Sequence, residues 1–201
     1  LRRGQPTTHL KYDQATAVLA GDALLTLAFE ILAHSETHSD PHIRSELSFN
    51  LAKAVGGNGM VGGQAIDISI FNSSTDLGTI TRSHQLKTGA LIAFACESGA
   101  ILSSAPQKLR NALHAFAHDL GLAFQITDDL LDVEGDVEDL GKNAKKDEAL
   151  GKATFVSLLG IERSRTQAEL LIAQSIKHLE PFGEDANFFR QIGKFVLERN
   201  H

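Results

Sequence analysis

One cysteine, Cys96, is all that the 201-residue chain contains, so a scaffold stapled by internal disulfides is excluded. A lone thiol in an apolar segment reads as a small core residue and fits a reducing cytosol, so the expected compartment is cytoplasmic. Positive charge is also in short supply. Nineteen Lys and Arg face 25 Asp and Glu, leaving a net charge of −6. An acidic chain without a basic block is a poor match for nucleic acid. The reading finds no apolar run close to the ~20 residues of a membrane span, and no signal peptide. It finds no strand alternation, internal repeat or compositional break that would mark a second domain.

What the chain does have is helical periodicity. With 42% hydrophobic and 22% charged residues, the composition is that of a globular domain large enough for a full core. The expectation is one all-α domain over residues 1–201. Helices are predicted over about 13–34, 43–55, 80–103, 106–133, 154–178 and 185–198, with loops at 35–41 and 72–78. The first residue is Leu1 rather than Met, inside what reads as a motif, and the expectation is that further residues precede it.

The most informative stretch is Phe124-Gln125-Ile126-Thr127-Asp128-Asp129-Leu130-Leu131-Asp132. Leu113, Phe116, Leu120, Phe124 and Leu131 recur at helical spacing and predict one buried face. At about 100° per residue, Gly121, Gln125, Asp128 and Asp132 fall within an arc of roughly 60° on a second face. Asp128 and Asp132 are i and i+4, so their carboxylates can converge, while Asp129 points off to the side. Two carboxylates this close repel unless a cation lies between them, and their oxygens suit Mg²⁺ shared with substrate phosphates. A solvated helix end is the alternative.

Other segments carry weaker signals. Asp22 is expected to make a structural hydrogen bond within an apolar helix. His34, His38 and His42 read as surface histidines. The glycines from Gly56 to Gly63 are too dense for an ordinary helix and lack the preceding strand of a nucleotide-binding loop, but they would allow a close approach. Gln64 and Asp67, at i and i+3, read as polar groups at a cavity edge. Lys87 either snorkels past the run Leu91, Ile92, Phe94 and Ala95, expected in the core, or aims its ammonium into a cavity beside Thr88. Arg2 and Arg3 could fork onto phosphate oxygens or lie on the surface. The charged, glycine-containing segment 134–152 reads as a loop that could act as a lid.

Taken in order, Leu19-Ala20-Gly21-Asp22-Ala23-Leu24, Gly62-Gly63-Gln64-Ala65-Ile66-Asp67, His84-Gln85-Leu86-Lys87-Thr88-Gly89-Ala90-Leu91, Gly121 to Asp132 and the repeated Leu-Gly-Lys resemble the trans-polyprenyl diphosphate synthases. The closest likeness is to bacterial farnesyl diphosphate synthases, over the whole chain to Glu198-Arg199-Asn200-His201. Gly121 to Asp132 matches the family's second aspartate-rich motif. The resemblance implies a helical bundle around a central cavity, a homodimer, and Mg²⁺-dependent head-to-tail condensation of isopentenyl diphosphate with an allylic diphosphate to give farnesyl diphosphate. Geranylgeranyl or geranyl products, or a non-catalytic partner subunit, are the alternatives. It also implies metal ligation by Asp128, Asp129 and Asp132, with Lys87 and Lys142 supplementing the charge. Arg2, Arg3, Thr88, Gln125 and Lys152 are implied on the substrates. A terpene cyclase would need no second diphosphate site, so Arg3 and Lys87-Thr88-Gly89 argue against one. Thr127 and Val156 stand where many relatives carry Gln and Pro. The family's first aspartate-rich motif would lie just before Leu1, so residues 1–201 would form the C-terminal two-thirds of the domain, with the N-terminal helices missing, and would not be catalytic alone.

Overall fold

The computed structural model describes residues 4–70, 75–134 and 153–199, and every regular element of any length among them is helical. In order they are α1 (Thr8–Lys11), α2 (Gln14–Ala33), α3 (Pro41–Val55), α4 (Met60–Ser69), α5 (Leu77–His84), a π-helical turn (Gln85–Gly89), α6 (Ala90–Leu102) and α7 (Gln107–Glu134). After residue 152 come α8 (Phe155–Leu159), α9 (Ile161–His178), a 3₁₀ turn (Glu180–Ala186) and α10 (Asn187–Glu198). The all-α expectation holds.

Local chemistry fixes where these helices start. The Asp13 carboxylate accepts from the Thr16 amide (2.7 Å), Asp40 from the His42 amide (2.8 Å) and Asp76 from the Thr79 amide (2.8 Å), each satisfying an orphan donor of a first turn. At α8 the satisfaction is reciprocal, because Thr154 and Ser157 form a capping box.

Helix α7 is the axis of the bundle. Twelve of its 28 residues are buried, and α5, α6, α8, α9 and α10 all pack against it. Leu113, Phe116 and Leu120 are buried as expected, whereas Phe124 and Leu131 are only half-buried. Ion pairs tie the ends of α7 to its neighbours: Arg110 to Glu46 of α3 (2.6 Å) and Glu134 to Arg165 of α9 (2.6 Å).

Several expectations are corrected. The glycine-dense segment, read as too rich in glycine for an ordinary helix, is helical from Met60 to Ser69. The helix predicted from Ile80 begins at Leu77 and is interrupted by the π turn. Ala95, placed in the core by the sequence reading, is exposed, and Asp22 is exposed rather than tucked into a structural bond. Cys96 is half-buried against the core, and its burial pushes the thiol up to about 11, with Glu97 adding to the shift.

The largest correction concerns α2. None of its 20 residues is buried, and Val18, Leu19, Leu24, Leu25, Leu27 and Ile31 are exposed. By length and composition alone it is apolar enough to cross a membrane, contrary to the sequence reading. Its packing on α1 and α3, and carboxylates at Asp22 and Glu30, argue for a protein-contact helix instead. An Asp at mid-span costs about 2.5–3.5 kcal/mol on insertion scales.

Candidate functional site

The site is built from three backbone segments that glycine lets approach closely. A Cβ on Gly63 of α4 would lie 2.2 Å from the Lys87 amide nitrogen and 2.6 Å from its Cα. A Cβ on Gly121 of α7 would lie 2.9 Å from the Cα of Gly89. The π turn is thus sandwiched between α4 and α7, and any larger residue at Gly63 would push the layers apart. Ser83, fully buried at the end of α5, donates to the Gly63 carbonyl (3.1 Å) and fixes the same junction.

On the α4 side, the Lys87 ammonium donates to Asp67 Oδ2 at 2.6 Å, with the side chains 31% and 13% exposed. Lys87 therefore does not simply snorkel: its charge is held at the edge of the α4–turn junction. Of the two polar groups expected at a cavity edge, Asp67 is half-buried and paired with Lys87, whereas Gln64 is exposed. The extra residue of the π turn was not foreseen. Such insertions often accompany functional side chains, because they re-aim one turn of a helix without ending it.

On the α7 side, Asp128 is held at both oxygens. Gln125 Nε2 donates to its Oδ2 (3.0 Å), and Arg199 Nη2 donates to its Oδ1 (2.5 Å). The Asp128 side chain nonetheless remains 43% exposed. Asp132, one turn on, is half-buried. Gln125 and Asp128 are thus brought together as the helical arc predicted.

Asp129 departs from its expected place as a third metal carboxylate. It is 6% exposed, and its Oδ2 accepts from the Phe155 amide at the first position of α8 (2.9 Å). At about 100° from Asp128 around a helix packed on several sides, it falls on the face covered by α8 and caps that helix. Thr127, also buried, returns its hydroxyl to the Ala123 carbonyl (3.0 Å). Arg2, Arg3, Lys142 and Lys152, together with all of the expected 134–152 lid beyond Glu134, lie outside the described residues.

The residue that sequence reasoning missed is Arg199. Its side chain is 7% exposed, its guanidinium carbon lies 3.9 Å from the Phe124 ring centroid, and it also donates to the Phe124 carbonyl (2.9 Å). Separated from Asp128 by 71 residues, it carries no local signal of this contact.

Among the described residues no group of three or more His, Cys, Asp or Glu side chains forms a metal cage. His34 and His42 are exposed, His38 is half-buried, and His34 and His38 accept from nearby amides, as surface histidines would. Mg²⁺ needs no such cage: it commonly takes one or two carboxylates and completes its shell with water and substrate phosphates. Asp128 and Asp132, stacked at i and i+4 and both half-buried rather than enclosed, fit that chemistry.

Residues 1–186 match the family model described as polyprenyl synthetase. The chain is 42% identical to farnesyl diphosphate synthase of Escherichia coli (strain K12), covering all of this chain and 69% of that protein. It is 41% identical to geranylgeranyl diphosphate synthase of Cyanophora paradoxa, covering all of this chain and 67% of that one. Among solved structures, an FPP/GFPP synthase from Zymomonas mobilis superposes with a TM-score of 0.87 at 52% identity, over 98% of this chain and 66% of that one. A geranyltransferase from Helicobacter pylori, complexed with magnesium and isoprenyl diphosphate, does so at 0.84 and 36%, over 98% and 64%. The chain thus spans about two thirds of the length of these relatives. With its helices, its glycine-mediated junctions and its aspartate-rich α7 in agreement with that match, the chain belongs to the polyprenyl synthetase family.

Proposed function

We propose that the complete gene product is a Mg²⁺-dependent prenyltransferase that condenses isopentenyl diphosphate with dimethylallyl diphosphate and then with the resulting geranyl diphosphate, releasing one pyrophosphate at each condensation and ending at farnesyl diphosphate. The observation that carries this reading is the Asp128–Asp132 pair on α7, with Asp128 oriented by Gln125 and Arg199 and still open to solvent over part of its side chain. Asp128 and Asp132 hold the metal, and Asp129 supports them from behind by fixing α8. Bound there, Mg²⁺ supplies positive charge where the departing diphosphate develops negative charge. Lys87, kept in place by Asp67, adds a second cation for a diphosphate, and Thr88 and Gln125 present dipoles on the allylic side. Arg2, Arg3, Lys142 and Lys152 are assigned to the two diphosphates on the family resemblance. Ionisation breaks the allylic C–O bond. The alkene of isopentenyl diphosphate then bonds to the cation, and loss of a proton restores a double bond. The protein acts as a cytosolic homodimer, and the exposed leucines of α2 support that assembly.

A longer product is the second reading, because identity to a geranylgeranyl synthase (41%) nearly equals that to a farnesyl synthase (42%). The test is to incubate the complete gene product with Mg²⁺, isopentenyl diphosphate and geranyl diphosphate, and to identify the products by mass. Farnesyl diphosphate is expected, and Asp128→Asn should lower turnover about 10²–10³-fold. No prenyl transfer, or full activity in Asp128→Asn, would refute the assignment.

A further inference from the structure

Arg199 makes three kinds of contact around one guanidinium: the stack on Phe124, the bond to the Phe124 carbonyl and the charged bond to Asp128 Oδ1. Its Nε is buried with no hydrogen-bond partner. Two behaviours are conceivable when a cation reaches Asp128. Arg199 could withdraw, as a stand-in that neutralises the carboxylate only while the metal is away, or it could remain and hold the carboxylate still.

The burial decides between them. Withdrawal would break the bond to Asp128 while the Arg199 side chain is only 7% exposed, leaving a buried charge without its counter-ion, one of the costlier arrangements in a protein. It would also give up the stack and the carbonyl bond, neither of which involves Asp128. A carboxylate can accept about four hydrogen bonds or ligand bonds, so the bonds from Arg199 and Gln125 leave capacity for a cation. The 43% exposure of Asp128 leaves a face on which a cation can approach.

We propose that Arg199, at the end of α10, is a positioning residue for Asp128: it stays bound to Oδ1 through metal binding and fixes the direction in which the carboxylate meets the cation. The C-terminal helix is thereby part of the metal site's support, joined to it through Phe124 and Asp128. This rests on the reading of Asp128 as a metal ligand given above.

The test uses Mn²⁺ as the probe, with inorganic pyrophosphate present, and follows binding to the complete gene product by electron paramagnetic resonance. Asp128→Asn weakens Mn²⁺ binding, and Arg199→Gln weakens it about 10–100-fold, the usual cost of removing a residue that orients a metal ligand. Arg199→Lys, which keeps the charge but loses the planar fork and the stack, also weakens binding. In the Asp128→Asn background, Arg199→Gln adds less than about 2-fold, because the ligand it positions is already impaired. Should Arg199→Gln fail to fold, Phe124→Leu removes the stacking face alone and shifts binding in the same direction. Unchanged or tighter Mn²⁺ binding in the folded Arg199 variants would show a stand-in and overturn the proposal, as would full additivity in the double variant. Absence of Mn²⁺ binding in the unsubstituted protein would instead defeat the metal reading itself.

Discussion

Gly63→Ala is the most direct test of how the site is assembled, because everything a new methyl would meet is backbone. The Cβ would lie 2.2 Å from the Lys87 nitrogen, 2.6 Å from its Cα and 2.8 Å from the Leu86 carbonyl carbon. No side-chain rotation relieves those contacts, so α4 and the π turn must separate by roughly 1 Å to reach ordinary packing distance. Overpacking costs about 1–3 kcal/mol, and three contacts this short, all against backbone, put Gly63→Ala in the upper part of that range, at about 2–3 kcal/mol. Against it stands the gain of Ala over Gly inside a helix, about 1 kcal/mol. The net expectation is a loss of about 1–2 kcal/mol, or roughly 2–8 °C in Tm for a domain of this size. Gly99→Ala is the matched control, because Gly99 lies in α6, is exposed, and a Cβ there meets nothing within 4 Å. It retains only the propensity gain and should raise Tm by about 2–4 °C. Thermal unfolding by circular dichroism measures both. A Gly63→Ala Tm at or above that of the unsubstituted protein would mean that α4 does not rest on the Lys87 turn, and the geometry of the Lys87–Asp67 pair would fall with it.

Two further outcomes follow from named contacts. Asp129→Ala leaves the Phe155 amide without its buried acceptor and should cost about 1–3 kcal/mol in urea unfolding. Asp129→Asn, which keeps an oxygen in place, should cost much less, and equal losses would refute the capping role. The second concerns His114, which is hydrogen-bonded to Glu97 across α6 and α7. That bond raises the imidazole's pKa above its usual value, against the opposing effects of burial and of Lys53. A raised folded-state pKa contributes stability that is fully present below about 6.5 and is lost as pH rises through the folded value. His114 is 61% exposed, so the pair is worth only about 0.2–1 kcal/mol. Glu97→Gln should therefore be less stable than the unsubstituted protein near pH 6 and indistinguishable once His114 is neutral, and a gap that widens with pH would contradict the pairing.

How much of this was legible beforehand depends on the range of each interaction. The period of α7 is written in Leu113, Phe116 and Leu120, and the i, i+4 relation of Asp128 and Asp132 follows from helix geometry alone. The glycines were legible as a demand for close approach, but the partner they approach was not. Gly63 meets Lys87 and Gly121 meets Gly89 only after α4, the π turn and α7 have stacked. The sequence reading also assumed one buried face on α7, whereas the axial helix buries residues at Leu122, Ala123, Ile126, Thr127, Asp129 and Leu130 as well. Asp129 does lie off to the side, as helix geometry has it, but on a helix enclosed on several sides a residue off the main face is still inside. On α2 the limit runs the other way: none of its apolar residues is buried, and apolar composition reports that a face wants cover without saying which residues supply it.

The same limit explains Arg199. An arginine one residue beyond an amphipathic helix is ordinarily solvated, and nothing within four residues of it marks it otherwise. Its role is set by where α10 docks: against α7, so that its last turn ends beside Phe124 and Asp128. Once there, the half-buried Phe124 acquires a reason. It sits on the buried periodicity of α7 yet remains less covered than Leu120 or Ile126, because its ring face is taken by a guanidinium rather than by another apolar side chain. The apolar face and the acidic face of α7 are therefore not independent, as the helical wheel makes them look. Phe124 from one holds the cation that orients Asp128 on the other, so a substitution that touches only the core face should be felt at the carboxylate.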